Sequence, residues 1–166
     1  MSIIFKRHSV RKFTDEEVSD DLIESLLKAG MQAPSSCNSQ PWEFIVVSKP
    51  EDKEAISKMH RFAKPAAEAS KLIVTLGNLN EAKVHSMIEQ DLGACNENIL
   101  LQATHEGLGA VWLGFHPIED RTLKLKEYLN IPDHCIPFSV ICVGWPAHDG
   151  EVKLRYDENK VHYDKY

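Results

Sequence analysis

Apolar residues recur at helical spacing in some stretches and crowd into short runs in others, so the chain reads as helices and strands in irregular alternation. Val18, Leu22, Ile23, Leu26, Leu27 and Ala29 share one helical face. Thr14 and Glu17 have the spacing of a capping box, and Phe13 and Val18 that of a hydrophobic staple, which predicts a helix beginning at Thr14 and stopping near Gly30. The aromatic and β-branched run Trp42–Val47, between Pro41 and Pro50, predicts a strand. Ser48 and Glu51 repeat the capping spacing and open a helix with Ala55, Ile56 and Met59 on one face.

Residues 72–76 predict a second strand that turns at Gly77 and Asn78. Residues 84–105 are helical again, with Leu92, Cys95, Ile99 and Ala103 in a stripe that Gly93, Ala94 and Leu100 broaden. So broad an apolar surface is buried either in the chain's own core or against a second copy of the chain. Gly107 and Gly109 close that helix, 110–113 reads as a strand, 122–129 as a short helix, and 137–143 as a fourth strand before Gly144, Trp145 and Pro146. Residues 147–166 are polar and mixed in charge, a composition ordered only by another surface.

At 166 residues the expectation is one domain, 1–166. The net charge of -6 and pI of about 5.7 leave no basic face long enough for a polyanion, so no nucleic-acid partner is expected. No run of about 18 apolar residues and no leader-type segment occur, which predicts a cytoplasmic protein with no membrane partner. Cys37, Cys95, Cys135 and Cys142 form no Cys-x-x-Cys pair and join no zinc-type His spacing, so reduced thiols and no metal site are expected. Cys37, in a polar loop, is the one placed to react.

Candidate chemistry is local. Arg7, Ser9 and Arg11 stand at every second position, and in an extended segment they face one way. Two guanidinium forks and a hydroxyl on one face suit a phosphorylated ligand, or form a solvated surface. Residues 33–42 are dense in hydroxyls and amides and either surround a polar ligand or make a turn-rich connection. Gly107, Gly109 and Gly114 follow a helix and run along a strand, the reverse of the dinucleotide-binding order. No nucleophile elbow and no acidic pair stands out, and no side chain is assigned a catalytic role.

Taken together, Arg7, His8, Ser9, Arg11 and Phe13, then Ala33, Pro34, Ser35, Ser36, Asn38, Pro41 and Trp42, then the run from Gly107 to Gly114, then Lys153 and Arg155 resemble the nitroreductase family of FMN-dependent oxidoreductases. The resemblance spans nearly the whole chain. It implies an α+β fold with a mixed, mostly antiparallel sheet flanked by helices. It also implies an intertwined homodimer with FMN at the interface and the tail, 147–166, wrapped around the partner. The resemblance makes Arg7 and Ser9 ligands of the phosphate and ribityl end, with Lys153 and Arg155, and holds His8 there through its backbone. Arg11 becomes the cation beside the pyrimidine edge of the flavin. Pro34, Ser35, Ser36 and Asn38 become the partner's border of the ring, and Trp112, Leu113 and Gly114 a strand end whose backbone reaches it. Arg61 and Lys64 carry no assigned role.

The activity implied is hydride transfer from NADH or NADPH, through flavin N5, to an electron-poor small molecule such as a nitroaromatic or a quinone. A flavin-binding or phosphate-ligand-binding protein without turnover, and a flavin-destroying or dehalogenating enzyme, are the alternatives.

Overall fold

The computed structural model describes residues 2–166. The elements are α1 (Ile3–Lys6), α2 (Asp20–Met31), β1 (Trp42–Val47), α3 (Pro50–Ser57), α4 (Pro65–Glu68), β2 (Lys71–Asn78), α5 (Ile88–His105), β3 (Gly109–Gly114), α6 (Glu119–Leu129) and β4 (Cys135–Gly144), with short 3-10 turns at Ser36–Asn38, His85–Met87 and Glu158–Lys160. The strands form one sheet in the order β1-β2-β4-β3, every neighbour antiparallel. Among the described residues one parallel bridge, Ser9 to Ala110, makes the pairing mixed. None of the described helices is long and apolar enough to cross a membrane.

Alternation along the strands sorts the core onto two faces. Leu72, Val74, Val140 and Cys142 pack with Ile56, Phe115 and Leu125 beneath α3, α4 and α6. Ile73, Ile141 and Val143 pack with Leu26, Leu92 and Ile99 beneath α2 and α5. Both central strands are covered on both faces, which is why they read as continuous apolar runs. Asn96 of α5 ties the helix to the sheet: it accepts from the Thr75 hydroxyl at 2.8 Å and donates to the Ser139 hydroxyl at 2.6 Å, and Thr75 and Ser139 are register partners. All three are buried, so leaving any one unpaired carries a desolvation cost.

The first long helix does not start at Thr14. Its cap is Ser19, whose hydroxyl accepts from Leu22 N at 3.3 Å. The preceding residues are claimed by the start of β2: Val18 N donates to the Ser70 hydroxyl at 2.8 Å, and the buried Lys71 ammonium pairs with Asp20 and Glu17. Phe13 lies on Gly144 instead of stapling Val18. The helix does stop near Gly30: it ends at Met31, and Gly30 sits in its last turn, where a Cβ would stand 2.8 Å from Ile99 Cγ1. The second helix begins at Pro50 with no side-chain cap, and Met59 falls after its end. α6 starts three residues earlier than its apolar pattern, while α1 and α4 are four-residue helices too short to show periodicity.

Residues 8–13 strap across the edge of the sheet. Val10 N donates to Ala110 O at 3.0 Å, and Thr14 N to Trp145 O at 2.9 Å. The strap lies close because Gly109 and Gly144, register partners at this end of β3 and β4, have no side chains. A Cβ on Gly109 would stand 2.8 Å from Val10 Cβ, and one on Gly144 2.8 Å from Phe13 Cδ1. Gly109→Ala is therefore expected to lift the strap and lower stability by about 1–3 kcal/mol, read by urea denaturation; an unchanged midpoint would contradict this packing.

Candidate functional site

Arg7 is the C-cap of α1, its backbone N–H closing on Ile3 O at 2.9 Å, so it belongs to the helix end and not to the strap at 8–13. Its guanidinium lies 3.4 Å from Glu97 Oε1 on α5 and faces a cavity of about 400 Å³. Lys153 and Arg155 line the same cavity, with His8, Phe5 and Leu154. Cations from both ends of the chain thus share one concavity. Its single carboxylate, Glu151, is already paired with Lys153 at 3.2 Å.

Past Arg7 the chain extends, and buried Val10 leaves Ser9 and Arg11 on the outward face. These two share a face as the spacing implies, but Arg7 and Arg11 enter different cavities. Arg11 borders a second one, of about 510 Å³, whose wall is the strand end Trp112, Leu113 and Gly114. A shallow cleft of about 190 Å³, lined by His8, Ser9, Arg11 and Lys12 against Asp149 and Gly150, runs alongside the strap.

The second cavity is strongly basic. Arg61, Lys64 and Arg121 border it together with Arg11 and Lys12, and its one acid, Glu68, is paired with Lys12 at 2.7 Å. The Arg121 guanidinium donates to Gly114 O at 3.0 Å, and that of Arg61 lies 4.4 Å from the Phe62 ring centroid. Gly114 is exposed, with no atom within 4 Å of where a Cβ would stand, so a flat group can approach its backbone. His60 leaves its buried Nε2 unpartnered among the described residues. Its Nδ1 accepts from Phe62 N at 3.3 Å, which assigns the proton to Nε2. Burial, and then the Arg121 guanidinium, pushes the imidazole below the usual histidine range.

The loop after α2 is not brought to either cavity. Its backbone is strained, with Cys37, Asn38 and Gln40 at φ 52°, 51° and 50°. Side chains hold it there: Ser36 N donates to buried Asp91 Oδ1 at 2.8 Å, Gln40 N to the Ser35 hydroxyl at 2.9 Å, and Lys83 Nζ to Cys37 O at 3.0 Å. Pro34, Ser35, Ser36 and Asn38 are thus fixed in shape at a place where they touch neither cationic cavity of their own chain.

Three residues beside the second cavity carry little sequence signal. Arg61 and Lys64 lie in an irregular segment without periodicity, and Arg121 reads as an ordinary charge on a surface helix. The donor set as a whole fits a ligand with an anion at one end and a planar ring at the other. Guanidinium and ammonium groups meet the anion, and an open glycine and the Trp112 wall of the strand end meet the ring.

Comparison with known proteins gives a consistent result. A family model described as Nitroreductase family matches residues 4–76 and 65–145. A protein of Methanothermobacter thermautotrophicus provisionally named NADH dehydrogenase/NAD(P)H nitroreductase is 37% identical over 166 residues, covering 100% of this chain and 87% of the relative. The structure of a provisionally named NADH oxidase from Clostridium acetobutylicum is 42% identical with a TM-score of 0.97, covering 99% of this chain and 100% of that one. A provisionally named nitroreductase from Desulfovibrio desulfuricans, solved in complex with FMN, is 27% identical with a TM-score of 0.84, covering 99% and 95%.

The environment of His60 sets a titration. NMR should show its ring protonating below the usual histidine value, with Arg121→Ala moving it part of the way back; a ring that titrates normally in both would contradict the burial and the Arg121 approach. On acidification the unfolded chain takes up this proton first. The group's contribution to stability is therefore intact above the histidine range and falls as pH drops below it.

Proposed function

The chain belongs to the nitroreductase family, and from that premise we propose that it is an FMN-dependent oxidoreductase that uses NADH or NADPH to reduce an electron-poor small molecule such as a nitroaromatic or a quinone. The observation that carries this reading is the meeting of Arg7 with Lys153 and Arg155 in one cavity, beside a second basic cavity walled by a strand end. An acidic chain has no general attraction for a phosphomonoester, so the affinity is built locally. In this proposal Arg7, Lys153, Arg155 and Ser9 hold the phosphate and ribityl end, together with the backbone of His8. Arg11 and the Trp112–Leu113–Gly114 strand end hold the ring.

When bound, FMN would supply the redox chemistry that links a nicotinamide donor to the acceptor, held by Arg7, Ser9, Lys153 and Arg155 at its phosphate end and by Arg11 and the 112–114 strand end at its ring. The chain's own residues bind, orient and tune, and no side chain acts as nucleophile. Arg11, with Arg61, Lys64 and Arg121 nearby, places fixed positive charge where a reduced ring gains negative charge. The basic surround also favours approach of an anionic nicotinamide dinucleotide.

The reading extends to the assembly. Pro34, Ser35, Ser36 and Asn38 form a rigid loop away from their own cavities, which suits a homodimer in which each loop borders the other chain's ring. The tail, 147–166, is mostly exposed, with Leu154, Tyr156 and Tyr163 at 71%, 80% and 82%, and in the dimer it wraps the partner. Residues 1–166 then form one domain. Four cysteines without disulfide partners fit the reducing cytoplasm.

Titration of the apoprotein with FMN, followed by anaerobic NADH or NADPH, tests the reading: bound flavin should bleach, and reoxidise when a quinone or nitroaromatic is added. Arg7→Ala should weaken FMN binding by about 1.5–3 kcal/mol if it makes a charge-assisted phosphate contact, measured by fluorescence quenching. Unchanged affinity would contradict the assignment of Arg7, and flavin that stays oxidised would contradict the activity.

A further inference from the structure

We propose that Glu43, His134 and Cys135 form a binding site for one zinc-type divalent cation at the end of the sheet where β1 begins. A carboxylate oxygen, an imidazole nitrogen and a thiol sulfur, one from each, lie within 4.8 Å of one another. With 25 acidic residues, 8 histidines and 4 cysteines in the chain, this is the only triple among the described residues that converges in this way. Ligand spacing cannot show such a site, because Glu43 and Cys135 are 92 positions apart.

The ligands are held by the sheet. Glu43 pairs with Leu76 and Cys135 with Asn78, so the two stand on the strands flanking β2. His134 is fixed by its carbonyl, which accepts from Leu79 N at 2.8 Å. Asn78 Nδ2 donates to Glu43 Oε1, and the other carboxylate oxygen, Oε2, lies 3.9 Å from Cys135 Sγ. An amide that orients a carboxylate in this way is the outer-shell support metal ligands usually have.

The chemistry selects the ion. A thiolate with an imidazole and a carboxylate suits zinc or cobalt(II), and the single thiol disfavours magnesium and calcium, which take oxygen ligands. Cys135 is buried, and its thiol points its proton toward Glu43 Oε2, with Sγ 3.9 Å from that oxygen. Binding replaces that proton: the S–H bond is lost, an S–metal bond forms, one proton goes to solvent, and nothing is oxidised or reduced. Metal–ligand bonds of about 2.0–2.3 Å bring ligand atoms closer than they stand here. The exposed side chains of Glu43 and His134 can supply that movement, and solvent fills the fourth position. Asn78 N also donates to Pro41 O at 2.7 Å, so the ion would stiffen the strand end to which the 33–41 loop is anchored.

None of the three ligands belongs to the proposed flavin site, so the test does not depend on it. The purified full-length protein is titrated with cobalt(II), then with zinc, while d–d absorption at wavelengths longer than flavin absorbs, the release of protons and the melting temperature are recorded. The expected result is one cobalt per chain with a tetrahedral thiolate spectrum, displaced by zinc, and a melting temperature raised by either ion. His134→Ala, an exposed change that spares the core, should weaken binding by about tenfold or more, and Cys135→Ala should abolish the thiolate bands. Octahedral cobalt without thiolate bands, or a melting shift that persists in the Cys135→Ala and His134→Ala variants, would overturn the proposal.

Discussion

The close contact of the strap with the paired glycines at the end of β3 and β4 governs where the site's charges stand. Gly109 and Gly144 face each other in register, and Val10 and Phe13 occupy the space their side chains would fill. With Val10 buried, Ser9 and Arg11 must point outward, and the helical turn before the strap delivers Arg7 to a different cavity. Three residues of backbone separate two cationic concavities, one suited to an anion and one to a ring. The strap's own bonds are few, Val10 N to Ala110 O among them. Its position rests on steric fit, which a single methyl group would disturb.

The remainder of the molecule holds that edge rigid. β2 and β4 are buried on both faces, and Asn96 links α5 to Thr75 and Ser139 across them. α5 in turn carries Glu97, which positions Arg7, and Asp91, which holds the Ser36 amide of the strained loop. One helix thus sets both the cation nearest the proposed phosphate and the loop proposed to reach the partner's ring. This common support explains why the helix combines an apolar stripe with carboxylates at its margins.

Much of this was legible in the sequence, for identifiable reasons. β2 and β4 were readable because both of their faces are covered and they form continuous apolar runs, β1 because it is an aromatic and β-branched run, and α5 because its stripe persists for several turns. The start of α2 was misread because Ser70 and Lys71, distant in sequence, capture residues 17–20 and outweigh the local capping signal at Thr14. The grouping of Arg7 with Arg11 on one face failed in part because α1 is a single turn, below the length at which periodicity appears. Arg121 gave no signal at all, since a cation on an amphipathic surface helix is the commonest of residues until its neighbours across a cavity are known. Only the family resemblance singles out the tail residues Lys153 and Arg155, which no local pattern marks and which line one cavity with Arg7.

The central claim is that each ligand site is built from two chains, the cations of one and the 34–38 loop of the other. Mixed dimers test it directly: a chain carrying Arg7→Ala is combined with a chain whose loop residues Ser35, Ser36 and Asn38 are replaced by alanine, and FMN binding is compared with that of each parent homodimer. The account predicts weak binding by both parents and, in the mixed species, one site per dimer restored to wild-type affinity. A mixed species no better than its parents, or full-affinity binding by a monomer, would contradict it.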